Sequence, residues 1–326
     1  MKTLILTPEK EKLEDIIAKA VSVLRSSGVV VFPTETVYGI GADAFNLTAV
    51  NKIFEIKGRA KDNPLIFHVS STTMVEKLAH INSFAKKIVK TFWPGPLTLV
   101  LKSKVDRKYS FGLDTVAVRM PENYIALKLI ESLDSPVVAP SANISGKPSS
   151  TDFIHVYNDF NGKVDCIIDG GKTVYGIEST VIDVSEENVC YLLRPGAFSV
   201  EDLEEKGIKV VLPESNELKK RSPGTRYRHY APDKPLFLFE NENELATIYE
   251  EIKNKKVGYM GLFDTNFKTS EKIVFKNLVE YAKMLFATLR YLDCKNIDVI
   301  VAELPSNKGL GRAVRDRLLR ASGVSR

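Results

Sequence analysis

The chain has 326 residues, 44% of them hydrophobic and 27% charged, a balance that fits a folded soluble protein and excludes disorder, collagen and coiled coil. At this length two domains are expected. Its net charge of +5 lies wholly in residues 308–326, where Lys308, Arg312, Arg315, Arg317, Arg320 and Arg326 face only Asp316, so the body is neutral and not a general polyanion binder. Apolar spacing at Leu13, Ile16, Ile17, Ala20, Val21 and Leu24 predicts a helix over 8–27, ended by Gly28. A buried strand, Val29–Phe32, follows and is closed by Pro33. Helices are then expected at Thr48–Lys57, Phe84–Phe92 and Tyr124–Leu133. Strands are expected at Leu65–Val69, Leu97–Leu101, Thr115–Arg119, Val137–Ala139, Cys166–Asp169, Thr180–Val184 and Cys190–Leu193. Helices and strands alternate early and strands cluster later, which predicts a mixed α/β sheet.

Leu212–Pro235, with Pro213, Pro223, Pro232, Pro235 and many cations, reads as a linker. After it come strands at Leu236–Phe239, Val257–Met260, Ile273–Phe275 and Ile297–Ala302. Helices are expected at Asn241–Lys253, Leu278–Leu292 and Arg312–Leu319. The organisation is therefore a domain over 1–212, a linker over 213–235 and a small α/β domain over 236–326. The small domain has the size of a doubly wound unit but lacks G-x-G-x-x-G, so no dinucleotide site is expected.

Several classes are excluded by what is missing. No apolar run approaches the roughly 18 residues of a membrane span, and the start of the chain lacks a signal-peptide core. Cys166, Cys190 and Cys294 are far apart and the four histidines are scattered, so no metal set is expected. A reducing, cytoplasmic setting follows as the simplest expectation.

Five segments can carry chemistry. Pro33-Thr-Glu-Thr-Val-Tyr-Gly39, running on into Ile40-Gly-Ala42, follows a buried strand and offers Thr34, Glu35 and Thr36 at the place where α/β sheets bind ligands; a tight turn into a helix is the plain alternative. Lys57-Gly-Arg59-Ala-Lys61 puts three cations around a glycine, suited to polyphosphate or to a helix C-terminus. His68 ends the next strand, facing a ligand or simply packed. Arg119 ends an apolar strand, where its charge demands a carboxylate, from a substrate or from an internal acid. Ser141, Asn143, Ser145 and Ser149 crowd the loop after Val137–Ala139, and Gly176-Ile-Glu-Ser-Thr-Val181 and Leu193-Arg-Pro-Gly196 add further hydroxyls and Arg194. No histidine follows Ser141 in a nucleophile arrangement, which argues against a Ser–His–Asp hydrolase. The pattern fits positioning of a nucleotide and a small anion, with catalysis by proximity and electrostatics.

PTETVYG, the K-x-R of Lys57 and Arg59, the S-x-N of Ser141 and Asn143, GIESTV, LLRPG and the linker stretch Ser222-Pro-Gly-Thr-Arg-Tyr-Arg-His-Tyr-Ala-Pro232 resemble the YrdC-like threonylcarbamoyl-AMP synthases in their long, two-domain form. The resemblance implies a YrdC-like twisted mixed α/β sheet with a concave face, plus a small Rossmann-like C-terminal domain. It implies that L-threonine, bicarbonate and ATP, the last carrying Mg²⁺, become threonylcarbamoyl-AMP and pyrophosphate. A partner transferase would then pass the threonylcarbamoyl group to tRNA. By the same resemblance Thr34, His68, Arg119, Ala139 and Ser179 would hold threonine. Lys57, Arg59, Lys61, Thr115, Ser141, Asn143, Ser149, Arg194 and Tyr230 would face ATP, with Lys57, Arg59, Ser141 and Asn143 nearest the chemistry and the Tyr230 linker closing as a lid.

Two rivals remain at this stage. One is a double-stranded RNA or tRNA-binding module, without turnover, that uses the basic tail on phosphates. The other is a different carbamoyl transferase sharing the domain, although such proteins carry zinc fingers that three cysteines cannot build.

Overall fold

Elements alternate along the chain from the first strand, in a computed structural model that describes residues 2–213 and 229–323. The linker stretch Ser222–Arg228, with Lys219, Lys220 and Arg221 before it, lies outside the described residues. The first unit begins β1 (Leu4–Leu6), α1 (Leu13–Arg25), β2 (Val30–Phe32), β3 (Gly39–Asp43), α2 (Leu47–Lys57) and β4 (Ile66–His68). It continues α3 (Thr72–Leu78), β5 (Ala79–His80), α4 (Ser83–Phe92), β6 (Leu97–Ser103), β7 (Thr115–Arg119), α5 (Tyr124–Leu133) and β8 (Val137–Ala139). It ends α6 (Phe153–Phe160), β9 (Cys166–Ile168), β10 (Thr180–Asp183), β11 (Tyr191–Arg194) and α7 (Val200–Glu205).

Its strands form one mixed sheet in the order β1-β9-β2-β3-β8-β4-β7-β6-β10-β11, with β5 paired to β6. The two-residue period of the strands sorts their side chains. Phe67, Val116 and Val118 join the main core with Ile16, Leu24, Ile53 and Ile130 of the helices. Ile66 and Ala117 instead join Val100, Val181 and Leu193 in a small separate cluster. Their face also carries His68 and Arg119, two residues further along each strand, and it is here that the site lies.

The second unit contains β12 (Leu236–Phe239), α8 (Glu242–Ile252), β13 (Val257–Gly261), β14 (Glu271–Val274), α9 (Leu278–Asp293), β15 (Val299–Glu303) and α10 (Leu310–Ser322). All its strands are parallel, in the order β12-β15-β13-β14. Tyr259, Val299 and Val301 pack with Leu245 and Tyr249 of α8, while Met260, Ile300 and Ala302 pack with Leu285, Phe286 and Leu318 of α9 and α10. Helices thus cover both faces, the doubly wound arrangement expected. The second of these clusters also takes in Val37, Ile177, Ala197 and Tyr230, so one apolar core crosses between the units.

Three differences from the sequence reading have physical causes. Gly39–Asp43, taken as part of a polar loop, is a central strand paired to β2 and β8. Its glycines hid it: a Cβ on Gly41 would lie 2.7 Å from both Phe32 and Val137, so only glycine lets β3 pass its neighbours. Phe153–Phe160 is helical, started by the Asp152 side chain on the Ile154 N–H, a cap that the surrounding serines concealed. Among the described residues the arginines of the tail are not a freely solvated face but are paired with acids. Arg312 pairs with Glu201, Arg315 with Glu240, Arg317 with Glu178 and Asp316, and Arg320 with Asp316. No helix among the described residues is long and apolar enough to cross a membrane.

Candidate active site

The PTETVYG segment turns on Thr34, whose hydroxyl lies 2.6 Å from the Val37 carbonyl and 2.9 Å from the Thr36 hydroxyl. Arg119, at the end of β7, reaches that turn from across the sheet. Its guanidinium donates to Thr36 Oγ1 at 2.9 Å and to Glu35 Oε1 at 2.5 Å, and both members of the ion pair are 4% exposed. The internal acid is therefore real, and it leaves Arg119 fixed rather than removed: Arg119 still lines the cavity, and among the described residues Glu35 Oε2 is buried with no partner. His68 lies one strand over, with Nδ1 3.2 Å from the Ile66 carbonyl. Thr34, His68, Arg119, Ala139 and Ser179 all line one cavity. The Ser179 hydroxyl sits 2.8 Å from that of Thr98.

The cations come from two other places. Asn46 caps the start of α2, and Gly58, in a left-handed conformation at φ 62°, ends it just after Lys57. That turn releases Arg59 from the helix toward the cavity, where it is anchored on the carbonyls of Asn63 at 3.2 Å and Pro64 at 3.1 Å. Lys57 stays behind. Its ammonium is buried against the carbonyls of Ser141 (2.6 Å) and Asn143, which ties the K-x-R segment to the S-x-N loop. Arg194, from β11, lines the cavity and holds the Ser179 carbonyl at 2.8 Å and its hydroxyl at 3.1 Å.

Ser141 and Tyr230 complete the wall, whereas Lys57, Asn143 and Ser149 stand behind it and Lys61 is exposed. The Ser141 hydroxyl donates to Asn143 Oδ1 at 2.5 Å, and Ser149 donates to Glu178 Oε1 at 2.7 Å. Thr115 sits at the opposite end of β7 from Arg119, beside the Pro64 that anchors Arg59. Among the titratable wall residues given no role from the sequence are His229 and Glu178. His229 stands next to Tyr230 in the linker signature, and Glu178 is the acid of GIESTV, so both were visible as motif members without a partner to give them meaning.

The charges here are under strain. Burial, then the neighbouring Arg59, holds the Lys57 ammonium well below its ordinary pKa. Burial lowers Arg59 to about 10 and also lowers Arg194. A pocket that gathers desolvated cations in this way is complementary to an anion. Among the described residues no three His, Cys, Asp or Glu side chains gather as a metal cage.

The buried histidines give a first prediction. Burial, then Arg119, lowers His68 to about 3, and burial, then Arg59 and Lys57, lowers His229 to about 3. Both stay neutral in the folded chain while the unfolded chain takes up protons below the ordinary 6.5. Stability therefore rises with pH across that window and is lost as the pH falls, by up to about 1.4 kcal/mol per pH unit for each group. Urea unfolding at pH 7, 5.5 and 4.5 should show the loss, and His68→Asn should reduce its slope. A flat profile from pH 7 to 4.5 would contradict it.

Two family models match the sequence. One, Sua5/YciO/YrdC, described as telomere recombination, covers residues 22–196. The other, the threonylcarbamoyl-AMP synthase C-terminal domain, covers residues 198–323. The chain belongs to the threonylcarbamoyl-AMP synthase family. A threonylcarbamoyl-AMP synthase of Pyrococcus abyssi is 46% identical over 336 residues, spanning 98% of each chain. That of Bacillus subtilis is 40% identical, spanning 98% of this chain and 96% of the relative. The crystal structure of P. abyssi Sua5 complexed with L-threonine matches at a TM-score of 0.88 and 43% identity, covering 99% of this chain and 98% of that one. Resemblance and fold, as expected from the motifs, agree with these likenesses for both units of the family's long form.

Proposed function

We propose that the chain is an L-threonylcarbamoyladenylate synthase, converting L-threonine, bicarbonate and ATP into threonylcarbamoyl-AMP, pyrophosphate and water. The observation that carries the reading is a single cavity that joins a hydroxyl-rich floor around Arg119 to a wall bearing Arg59 and Arg194. Arg119 takes the threonine carboxylate, with Thr34 and Ser179 beside the amine and hydroxyl, and His68 and Ala139 shaping the pocket. Arg59 and Arg194 take the triphosphate, supported by Lys57, Lys61, Thr115, Ser141, Asn143 and Ser149, while Tyr230 covers the nucleotide. The threonine amine gives up a proton and captures carbon dioxide derived from bicarbonate. A carbamate oxygen then attacks the α-phosphorus, and pyrophosphate leaves. The cations offset the repulsion between carbamate and triphosphate, and Mg²⁺ arrives on the phosphate oxygens.

A carbamate decomposes in water, so the reaction needs shielding. The cavity has a volume of about 50 Å³, against the few hundred Å³ of a ligand pocket. That small volume supports reading the 213–235 linker, of which only 213 and 229–235 are described, as a lid between a catalytic domain at 1–212 and a second domain at 236–326, with Tyr230 moving to admit ATP. The product is a mixed anhydride, and a partner transferase consumes it on tRNA in the cytoplasm. Pyrophosphate release from MgATP with bicarbonate and each of the twenty amino acids, offered separately, tests the reading. Release is expected with L-threonine, and only when bicarbonate is present. No release with any amino acid would overturn it.

A further inference from the structure

One fully buried cation of the second unit is bonded to the wall of the site. Arg317 of α10 is completely buried, yet it belongs to the tail in which Arg312, Arg315 and Arg320 form partly exposed ion pairs. Its Nε donates to Glu178 Oε2 at 3.0 Å, and its Nη1 donates to the Pro195 carbonyl and to Asp316, each at 2.8 Å. The guanidinium carbon lies 5.6 Å from the centre of the Tyr230 ring. Phe286 of α9 stacks on the same ring at 5.1 Å, so two residues of the second unit hold Tyr230. Tyr230 itself has φ 67°, a left-handed conformation that a tyrosine adopts only when its surroundings hold it there.

Each partner of Arg317 leads to the site. Glu178 accepts from Ser149 through its other oxygen and precedes Ser179 in the chain. Pro195 follows Arg194, whose guanidinium grips Ser179. Burial raises the Glu178 carboxyl, but Arg317 and then Arg194 outweigh it and hold the group below its ordinary pKa, so it meets Arg317 as an anion.

Docking alone does not call for this residue. Val37, Ile177 and Ala197 already give the second unit an apolar seat. A buried guanidinium is costly unless its geometry is fully used, and among the described residues Nη2 of Arg317 has no partner.

We propose that Arg317 is a positioning residue of the synthase reaction, through which the second domain completes the ATP side of the site. It seats Tyr230 and, through Glu178 and Pro195, sets Ser149 and Arg194. The inference rests on the synthase reading above.

Threonine- and bicarbonate-dependent pyrophosphate release by the full chain tests it, with ATP and threonine saturated separately. Arg317→Ala should raise the KM for ATP about tenfold and lower kcat, with the KM for threonine changed less than twofold. Arg317→Lys keeps a charge beside Glu178 but lacks the planar fork that serves Glu178 and Pro195 while stacking on Tyr230. It should therefore still show the raised KM for ATP, and it decides the matter if the alanine variant does not fold. Variants that lower the melting temperature but keep the wild-type KM for ATP would reduce Arg317 to a docking contact and overturn the inference. A wild-type chain without threonine-dependent release would take down the synthase reading itself. Normal wild-type turnover with unchanged variants takes down only the inference.

Discussion

Arg119→Ala should remove threonine saturation: the KM for threonine is expected to rise by roughly a hundredfold or more, with a much smaller effect on ATP. The size follows from the geometry. Arg119 is the cation on the hydroxyl-rich floor, and its donors are aimed by Thr36 and Glu35. A hydrogen bond to a charged group contributes about 1.5–3 kcal/mol, and a guanidinium offers a carboxylate two of them. Stability should fall as well, since the substitution strands the buried Glu35 carboxylate, and breaking a buried pair from one side costs about 3–5 kcal/mol. The two effects separate in the double variant Glu35→Gln with Arg119→Ala, which should recover much of the melting temperature and none of the threonine affinity. A threonine KM within threefold of wild type in Arg119→Ala would mean that the carboxylate is bound elsewhere.

The elements around this floor, two strands and a helix, were legible where apolar residues dominate. Thr115–Arg119, Tyr124–Leu133 and Val137–Ala139 stand where their apolar patterns put them. β3 was not legible, because Gly39 and Gly41 remove the apolar alternation that marks a strand and their role appears only against Phe32 and Val137. Charge shows the same limit. The sequence displays Arg317 as one of six tail cations, and nothing in it reveals that this one is buried against an acid 139 positions away. The site residues were visible as hydroxyls and loop cations because their types are unusual at strand ends. Which of them face the cavity, as Arg59 does, and which brace it, as Lys57 does, depends on a carbonyl pair at Ser141 and Asn143 that only folding brings near.

Arg59→Ala should strike the other substrate. Arg59 lines the cavity with its guanidinium held by two carbonyls, so the charge is placed before ATP arrives. Burial lowers its pKa only to about 10, and it is a full cation at pH 7. At about 4 Å from a phosphate oxygen, with an effective dielectric constant near 20, such a charge contributes about 4 kcal/mol, or roughly a thousandfold. That factor should appear in kcat/KM for ATP, while the KM for threonine moves less than about threefold. Arg59→Lys restores the charge but loses the fork that fixes it on Asn63 and Pro64, and should recover only part of the loss. The division between KM and kcat then locates the charge along the reaction. A rise in KM alone means that Arg59 holds the ground-state triphosphate, while an equal fall in kcat and kcat/KM means that it acts on charge developing as pyrophosphate departs. Equal losses for ATP and threonine would place Arg59 in the folding of the α2–β4 turn instead of at the phosphates.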